Sequence, residues 1–470
     1  MAFLANEIVL KIIDELRDDR TALVNLAKTC KHFYAMTEAH RFRKVHLRTK
    51  GDLLLLKGHL QSNYFLHNMV ETLVIGPEQT IRKEDFWQLK QTAKWFRGLQ
   101  HLSIRYPQQA VTTNHEQLFY PIKGSHQFIP AMLRSCTLVF DDNATTPQAS
   151  LNLLVPLFSR SRLEELNIVG ARLDDISPHY MRSTTPVKTL RLENCHRDTV
   201  YLYHLRPMLR MSKSLQTFSF SMDATSFCRV PSHAYDDVDE PSYMRTLLRA
   251  LGNYHGKSLT RLELKFNYTR ILGSTCPDDT PSDLFKHSLA QFVQLKHFEL
   301  GLRTWEWSDF RPARPDLVID GAHRTQIHLF LSLLPHTLES FKLRVIDGPG
   351  VPVTGMQYLC EKIIEWKAEQ VDLKLFELEY VENRDPATTA CIMQRAQIQE
   401  TGKALKKEGI QFRVYETVIE KAEARGMVHG LHLPTFVRVY DSYGNGAFEG
   451  QGTKMELMDD WYRNCGERLY

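Results

Sequence analysis

Leu259-Thr260-Arg261-Leu262-Glu263-Leu264 is one copy of the pattern, L-x-x-L-x-L, that decides how this chain folds. Its last three positions alternate apolar, polar, apolar, which is the period of a strand with one buried face. Its first leucine is the anchor that turns the chain into that strand. With conservative swaps the pattern runs through the sequence as Val70/Leu73/Ile75, Leu99/Leu102/Ile104, Leu163/Leu166/Ile168, Val187/Leu190/Leu192 and Leu215/Phe218/Phe220. Beyond Leu259 it continues as Leu295/Phe298/Leu300, Leu338/Phe341/Leu343 and Leu373/Phe376/Leu378. Weaker copies are Phe42/Val45/Leu47 and Leu133/Cys136/Leu138, and a last strand is expected at Ile410, Phe412 and Val414. Helical patterns precede several copies: Ser150–Leu157, Tyr243–Leu251, Leu284–Val293 and Gln326–Leu334. One strand and one helix per unit, repeated, predicts an α/β fold: a leucine-rich-repeat solenoid, a horseshoe of parallel strands backed by helices.

The repeat is irregular. Leu163 and Val187 are 24 residues apart, Leu215 and Leu259 are 44. A unit of about 20–29 residues is usual, so several units carry insertions, and most follow directly after a strand. They run from Ser221 to Pro241, Asn267 to Pro281, Arg303 to Asp320 and Asp347 to Val353. The third contains Trp305 and Trp307 among arginines, the composition of an interface hot spot. Past about Gly430, the alternation Phe436-Val437-Arg438-Val439-Tyr440 reads as a strand capping the last repeat, and Asn445-Gly446 as a hairpin turn.

Composition narrows the function classes. Of 470 residues 43% are hydrophobic and 24% charged, ordinary for a folded chain. A formal net charge of +4 gives no reason to expect nucleic acid as partner. No apolar run reaches the roughly 18–20 residues that cross a bilayer, so no membrane is expected either. The N-terminus lacks a charged-then-apolar leader, which argues for the cytoplasm or nucleus over secretion. Eight scattered cysteines, none in a C-x-x-C pair, indicate reduced thiols and no metal site. Phosphate-loop, zincin and nucleophile-elbow motifs are missing, so neither a catalytic set nor a cofactor is expected.

The first forty residues do not follow the repeat. Ile8, Ile12 and Leu16 recur at helical spacing with Val9 and Ile13 beside them, predicting an amphipathic helix over about Asn6–Leu16. Thr21 is the expected N-cap of a second helix, with Leu23, Leu26 and Cys30 facing inward. A third element begins at Lys31 and contains Phe33 and Tyr34. Three short helices bury little surface by themselves and need a neighbour to cover their apolar face.

The run Leu4-Ala5-Asn6-Glu7-Ile8, then Ile12, Leu16, Leu26 and Thr29-Cys30-Lys31-His32-Phe33, resembles an F-box. It matches the family pattern at Leu4, Glu7, Cys30 and Lys31. It departs from it at Ala5, where proline is usual, and at Phe33, where tryptophan is usual. With repeats following at once, the chain resembles a divergent, fungal-type F-box protein with leucine-rich repeats. The resemblance implies three parts: an F-box over residues 1–48, repeats over 49–415 and a C-terminal extension over 416–470. It also implies the substrate receptor of an SCF ubiquitin ligase. Leu4, Ala5, Glu7, Ile8, Ile12, Leu16, Leu26, Cys30 and Phe33 would then dock a Skp-family adaptor, and through it a cullin–RING complex. The repeats would hold a target protein, and bond formation would belong to the conjugating enzyme.

For that target the strand residues that alternate with the leucines are the natural surface. Among them Arg191, Arg261, Lys265, Lys342 and Arg344 could pair with an acidic or phosphorylated partner. The same register puts Leu262 inside and Glu263 outside, so truncating Glu263 is expected to cost under about 0.5 kcal/mol. An alternative function from another class is a leucine-rich-repeat scaffold that binds partners without recruiting a ligase.

Overall fold

The computed structural model describes residues 5–17, 19–76, 92, 95–106, 132–140, 155–158, 161–173, 185–197, 205–222, 243–266, 289–303, 331–346, 353–368, 371–383, 395–419, 434–441 and 448–449. They divide into two compact units, Met1–Val169 with Thr185–Val187, and Gly170–Thr184 with Lys188–Tyr470.

The first unit opens with helices α1 (Asn6–Glu15), α2 (Arg20–Thr29) and α3 (Lys31–Arg43). Strands β1 (Lys44–Leu47), β2 (Thr72–Ile75), β3 (His101–Tyr106), β4 (Ser135–Phe140) and β5 (Glu165–Val169) follow, each parallel to the one before. The weaker copies of the motif are therefore true repeat strands: Val45 and Leu47 lie on β1, Cys136 and Leu138 on β4. Helix α4 (Lys50–Ser62) starts on a reciprocal cap, in which Thr49 Oγ1 accepts from the Asp52 amide and Asp52 accepts from the Thr49 amide. It turns Leu53, Leu56 and Leu60 into the core.

The second unit repeats the scheme with β7 (Thr189–Arg197), β8 (Thr217–Met222), β9 (Arg261–Phe266), β10 (His297–Arg303), β11 (Ser340–Ile346), β12 (Leu375–Asn383) and β13 (Gln411–Ile419). Each of these too is parallel to its predecessor. A short β6 (Arg172–Leu173) pairs with the end of β7. The array ends in β14 (Pro434–Asp441), antiparallel to β13, and β15 (Phe448–Glu449), antiparallel to β14. The strand expected around Phe436 is thus present, and it covers the edge of the last parallel strand. Helix Tyr243–His255 outlasts its expected end by four residues, whereas only a short 3-10 turn, Leu289–Gln291, is described within the expected Leu284–Val293 helix.

Parallel register turns the motif into continuous rows. In the first unit Val45, Leu73, Leu102, Cys136 and Leu166 are successive partners, as are Leu47, Ile75, Ile104, Leu138 and Ile168. In the second, Phe218, Leu262, Phe298, Phe341, Phe376 and Phe412 form one row and Phe220, Leu264, Leu300, Leu343, Leu378 and Val414 the other. From Phe298 to Phe412 the rings stack with centroids 5.8, 5.7 and 5.5 Å apart.

The motif's first leucine has a backbone role as well. Leu99, Leu133, Leu215, Leu259, Leu295, Leu338 and Leu373 are fully buried. In all but the last of them the carbonyl of the residue that follows accepts two amides from the next repeat's strand entry, while the Lys374 carbonyl, after Leu373, accepts one, from Gln411. The Thr260 carbonyl receives Lys296 and His297, and the Lys296 carbonyl receives Glu339 and Ser340. This bonding satisfies the strand entries without regular sheet pairing. Among the described residues no helix is long and apolar enough to cross a membrane.

Candidate functional site

Two surfaces stand out, one in each unit. The first belongs to α1–α3. Val9, Ile13 and Leu23 form a small buried cluster, and Leu16, Leu26, Phe33 and Met36 pack around it. That inward face uses only two of the five apolar residues of α1, Val9 and Ile13. Ile8 is 48% exposed, Leu10 46% and Ile12 44%. Ile8 and Ile12 lie one turn apart on the side that the cluster does not cover. His32 Nε2 meets Asn6 Oδ1 at 3.2 Å, tying α3 to the start of α1. Tyr34, 48% exposed, lies under the Arg41 guanidinium, 4.1 Å from ring centroid to Cζ.

Of the residues that the F-box resemblance singles out, Ala5, Glu7, Ile8, Ile12 and Cys30 are at the surface. Leu16, Leu26 and Phe33 serve the internal cluster, and Leu4 lies outside the described residues. Two local expectations are corrected. The N-cap of α2 is Asp19, not Thr21, because the Asp19 carboxylate accepts from the Ala22 amide at 2.9 Å while Thr21 is already inside the helix. Cys30 does not face inward. It is exposed and caps α3, its Sγ accepting from the Phe33 amide at 3.5 Å. Among the described residues the buried thiols are Cys136, Cys195 and Cys360, and burial pushes the pKa of Cys136 up to about 12.

The second surface is the polar face of β7–β13. Its central row runs Arg191, Ser219, Glu263, Glu299, Lys342, Glu377, Arg413 across successive strands. Two residues further along, Ser221, Lys265, Gly301, Arg344, Glu379 and Tyr415 form a second row. Charges in these rows pair across strands. Lys265 Nζ is 3.5 Å from both Glu263 and Glu299. Lys342 Nζ is 2.8 Å from Glu379 and 3.9 Å from Glu299, and Arg344 Nε is 3.2 Å from Glu379. Arg413 reaches Glu377 at 3.7 Å, and the Tyr415 hydroxyl donates to the same carboxylate at 2.7 Å.

Glu263 overturns its expected role as a freely solvated residue. It is 8% exposed, it accepts from Ser219 Oγ at 2.9 Å, and it pairs with Arg261 and Lys265. Ser219 and Ser221 are buried too, although they alternate with core residues. Burial alone would raise the Glu263 pKa. Lys265 and Arg261 overcome it and, with the Ser219 bond, hold the carboxyl at about 2. Glu379 is likewise held below its usual range, by Arg344 and Lys342 against burial. Lys342 rises, as Glu379 and Glu299 outweigh burial. Glu193 behaves differently: burial raises its pKa, and Lys265 and Arg191 offset this only in part. The Arg191 Nε is buried with no hydrogen-bond partner among the described residues.

The expected target-binding cations Arg191, Arg261, Lys265, Lys342 and Arg344 therefore share one face, and Arg261, Lys265, Lys342 and Arg344 are ion-paired within the chain. Trp305 and Trp307 lie outside the described residues, as do most of the post-strand insertions.

No protein-family model matches the sequence, and no curated protein matches it. Among solved structures, the leucine-rich repeat-containing protein LegL7 from Legionella pneumophila is similar over 80% of this chain and 91% of its own. The identity is 11% and the TM-score 0.36. The plant peptide hormone receptor RGFR1, solved in complex with RGF2, is similar over 75% of this chain and 36% of its own, at 10% identity and a TM-score of 0.22.

Proposed function

We propose that the chain is the substrate-binding subunit of an SCF-type ubiquitin ligase. Helices α1–α3 would dock a Skp-family adaptor, which leads to a cullin–RING complex, and the polar face of the repeats would hold a target protein. The observation that carries the reading is the divided apolar surface of α1. Val9 and Ile13 hold the helix to its own unit, while Ile8 and Ile12 stand out of it, one turn apart. Burying such a side chain against a partner stabilises by about 1.5–3 kcal/mol, enough for the pair to anchor a protein interface. The F-box pattern at Glu7, Cys30 and Lys31 supports the identity of that partner. In this reading no residue of the chain is catalytic, no cofactor or metal is needed, and the protein works in the cytosol or nucleus. Residues 1–48 serve the adaptor, 49–415 the target, and 416–470 extend and cap the repeats.

The test is co-purification of a recombinant Skp-family adaptor with the wild type and with an Ile8→Asp, Ile12→Asp double variant. Because both side chains are half-exposed, the variant should keep its melting temperature. Charge placed in the proposed interface should abolish adaptor capture, since an uncompensated buried charge costs several kcal/mol. Leu16→Asp would be a poor probe, because Leu16 packs on the internal cluster. Equal capture by wild type and variant would remove α1 from the interface. Capture by neither would leave a scaffold uncoupled from any ligase.

A further inference from the structure

The charges on the polar face of the second unit lie at two depths. The side chains of Glu263, Glu299, Glu379 and Glu377 are 10%, 12%, 13% and 16% exposed. Their partners stand higher. Arg261 is 49% exposed, Arg413 34%, Lys265 28%, Arg344 26% and Lys342 25%. Carboxylates form the floor and cations the canopy. A partner approaching this face meets guanidinium and ammonium groups first, even though the pairs nearly balance. A guanidinium has five donors and an ammonium three, so one pairing does not exhaust either. The floor also holds the long side chains in place, which lowers the ordering entropy that binding must overcome.

A second regularity concerns spacing. Arg261 and Lys265 are on β9, Lys342 and Arg344 on β11, and Arg413 on β13. The intervening β10 and β12 carry Glu299, Glu377 and Glu379 in the same register. Among the described side chains the cations of this face thus stand on every second strand, although β9 also carries Glu263 in the central row. With neighbouring strands about 4.8 Å apart, the cationic stripes repeat at about 9.6 Å. A polyproline II segment rises about 3.1 Å per residue with three residues per turn, so every third side chain returns to one face at about 9.3 Å.

We infer that this face binds an extended acidic segment of a target protein, lying across β9 to β13 with an anionic side chain at every third position. The inference rests on the proposed role of the polar face as target site and adds the chemistry of the target. About seven residues span the three stripes. Each anionic side chain would share the donors of a canopy cation, leaving the pair beneath intact. Carboxylates and phosphorylated serines offer the same chemistry.

The experiment uses the full chain and fluorescent peptides of one composition. In the first the glutamates occupy every third position of a proline-alanine background. In the second they are contiguous, and in a third phosphoserine replaces the spaced glutamates. Fluorescence anisotropy should show the spaced peptide binding at least about ten-fold more tightly than the contiguous one. Arg344→Gln should weaken the spaced peptide by about five-fold or more. Because Arg344 also anchors Glu379, the more exposed Arg413→Gln is the second variant, with a smaller loss expected and its melting curve as control. Tighter binding of the phosphoserine peptide assigns the face to a modified target, and tighter binding of the glutamate peptide to a plain acidic one.

Equal affinity for spaced and contiguous peptides overturns the inference. So does equal affinity for a short polyuridylate, which would mean unselective attraction to polyanions. Adaptor capture separates the two readings. Spaced-peptide binding without adaptor capture keeps this inference and sinks the ligase role, and the converse result sinks this inference alone.

Discussion

The middle of the motif reads Leu102-Ser103-Ile104 on β3 and Leu262-Glu263-Leu264 on β9. The apolar positions are alike in burial, and the polar one is not. In the first unit the central row is His46, Val74, Ser103, Thr137, Asn167, with no side chain of fixed charge. In the second it is Arg191, Ser219, Glu263, Glu299, Lys342, Glu377, Arg413. The core row differs in parallel: the first unit fills it with Val45, three leucines and Cys136, the second largely with phenylalanine. The same backbone plan therefore accepts two solutions. Leucine at the motif positions suffices to build the ladder. A row of charges with low exposure is added only where larger rings fill the core beneath it. Ion pairs of this kind contribute little net stability by themselves, since desolvation offsets their attraction. A network of this kind on the strand face of the second unit is better explained by recognition than by folding.

The largest effect should come from the aromatic row. Phe341 stacks between Phe298 and Phe376 and is fully buried. Phe341→Ala should cost about 3–5 kcal/mol, as large aromatic truncations do. Cys136→Ala, at the matching position of the first unit, removes far less and should cost about 0.5–1.5 kcal/mol. Urea denaturation of both variants checks the pair. Comparable losses would mean that the rings stabilise no more than the aliphatic row does, and the comparison between cores would fail.

Next comes the polar row. Glu263→Ala leaves Ser219 and the neighbouring cations without their shared acceptor, and should cost about 1–3 kcal/mol. Exposure of Arg261 screens its part of that network. The sign with pH follows from the lowered folded pKa. An unfolded glutamate takes up its proton near its ordinary value of 4.5, and the folded Glu263 only at about 2. The unfolded state then binds more protons between those values, so stability present above about pH 4.5 is lost on the way down to about pH 2. Glu379 adds to the same trend, its folded pKa also being lowered. Acid titration of the wild type against Glu263→Gln should show a shallower fall for the variant. Identical slopes would show that Glu263 is not ionised in a network.

Much of this architecture is legible in the sequence, and the reason is locality. Six residues contain both the anchor leucine and the strand alternation, so even Cys136 and Val45 could be placed on strands. The C-terminal strand around Phe436 was legible for the same reason. Depth on the polar face was not. Alternation says which way Glu263 points but not how far it is covered, since Ser219 lies 44 residues away in the chain and meets it only through register. The layering of cations over carboxylates is likewise a cross-strand property. At the N-terminus the helical spacing of Ile8, Ile12 and Leu16 was visible. Their division into an outward pair and an inward residue depends on the packing of α2 and α3. Asp19 won the cap over Thr21 because the helix begins two residues earlier than the apolar pattern suggests. Cys30 followed a similar logic, since a thiol at a helix start can accept an amide instead of joining the core.

The smallest expected effect is the sharpest check on the comparison. Ser103 occupies in β3 the motif position that Glu263 occupies in β9, and its row neighbours are Val74 and Thr137. Neither neighbour carries a charge, and Val74 is 8% exposed. Ser103→Ala should therefore change stability by less than about 0.5 kcal/mol and leave the acid limb of the titration unmoved. It should also leave binding of the spaced acidic peptide unchanged, because the cationic stripes belong to β9, β11 and β13. A loss as large as that of Glu263→Ala would place a polar network on the first unit too, and the contrast between the two faces would no longer mark where recognition occurs. A weakened peptide affinity with unchanged stability would extend the binding face into the first unit and displace the nine-to-thirteen strand footprint. Silence in both measurements, beside a clear response to Glu263→Ala, separates a face that only closes the fold from one that is built to meet a partner.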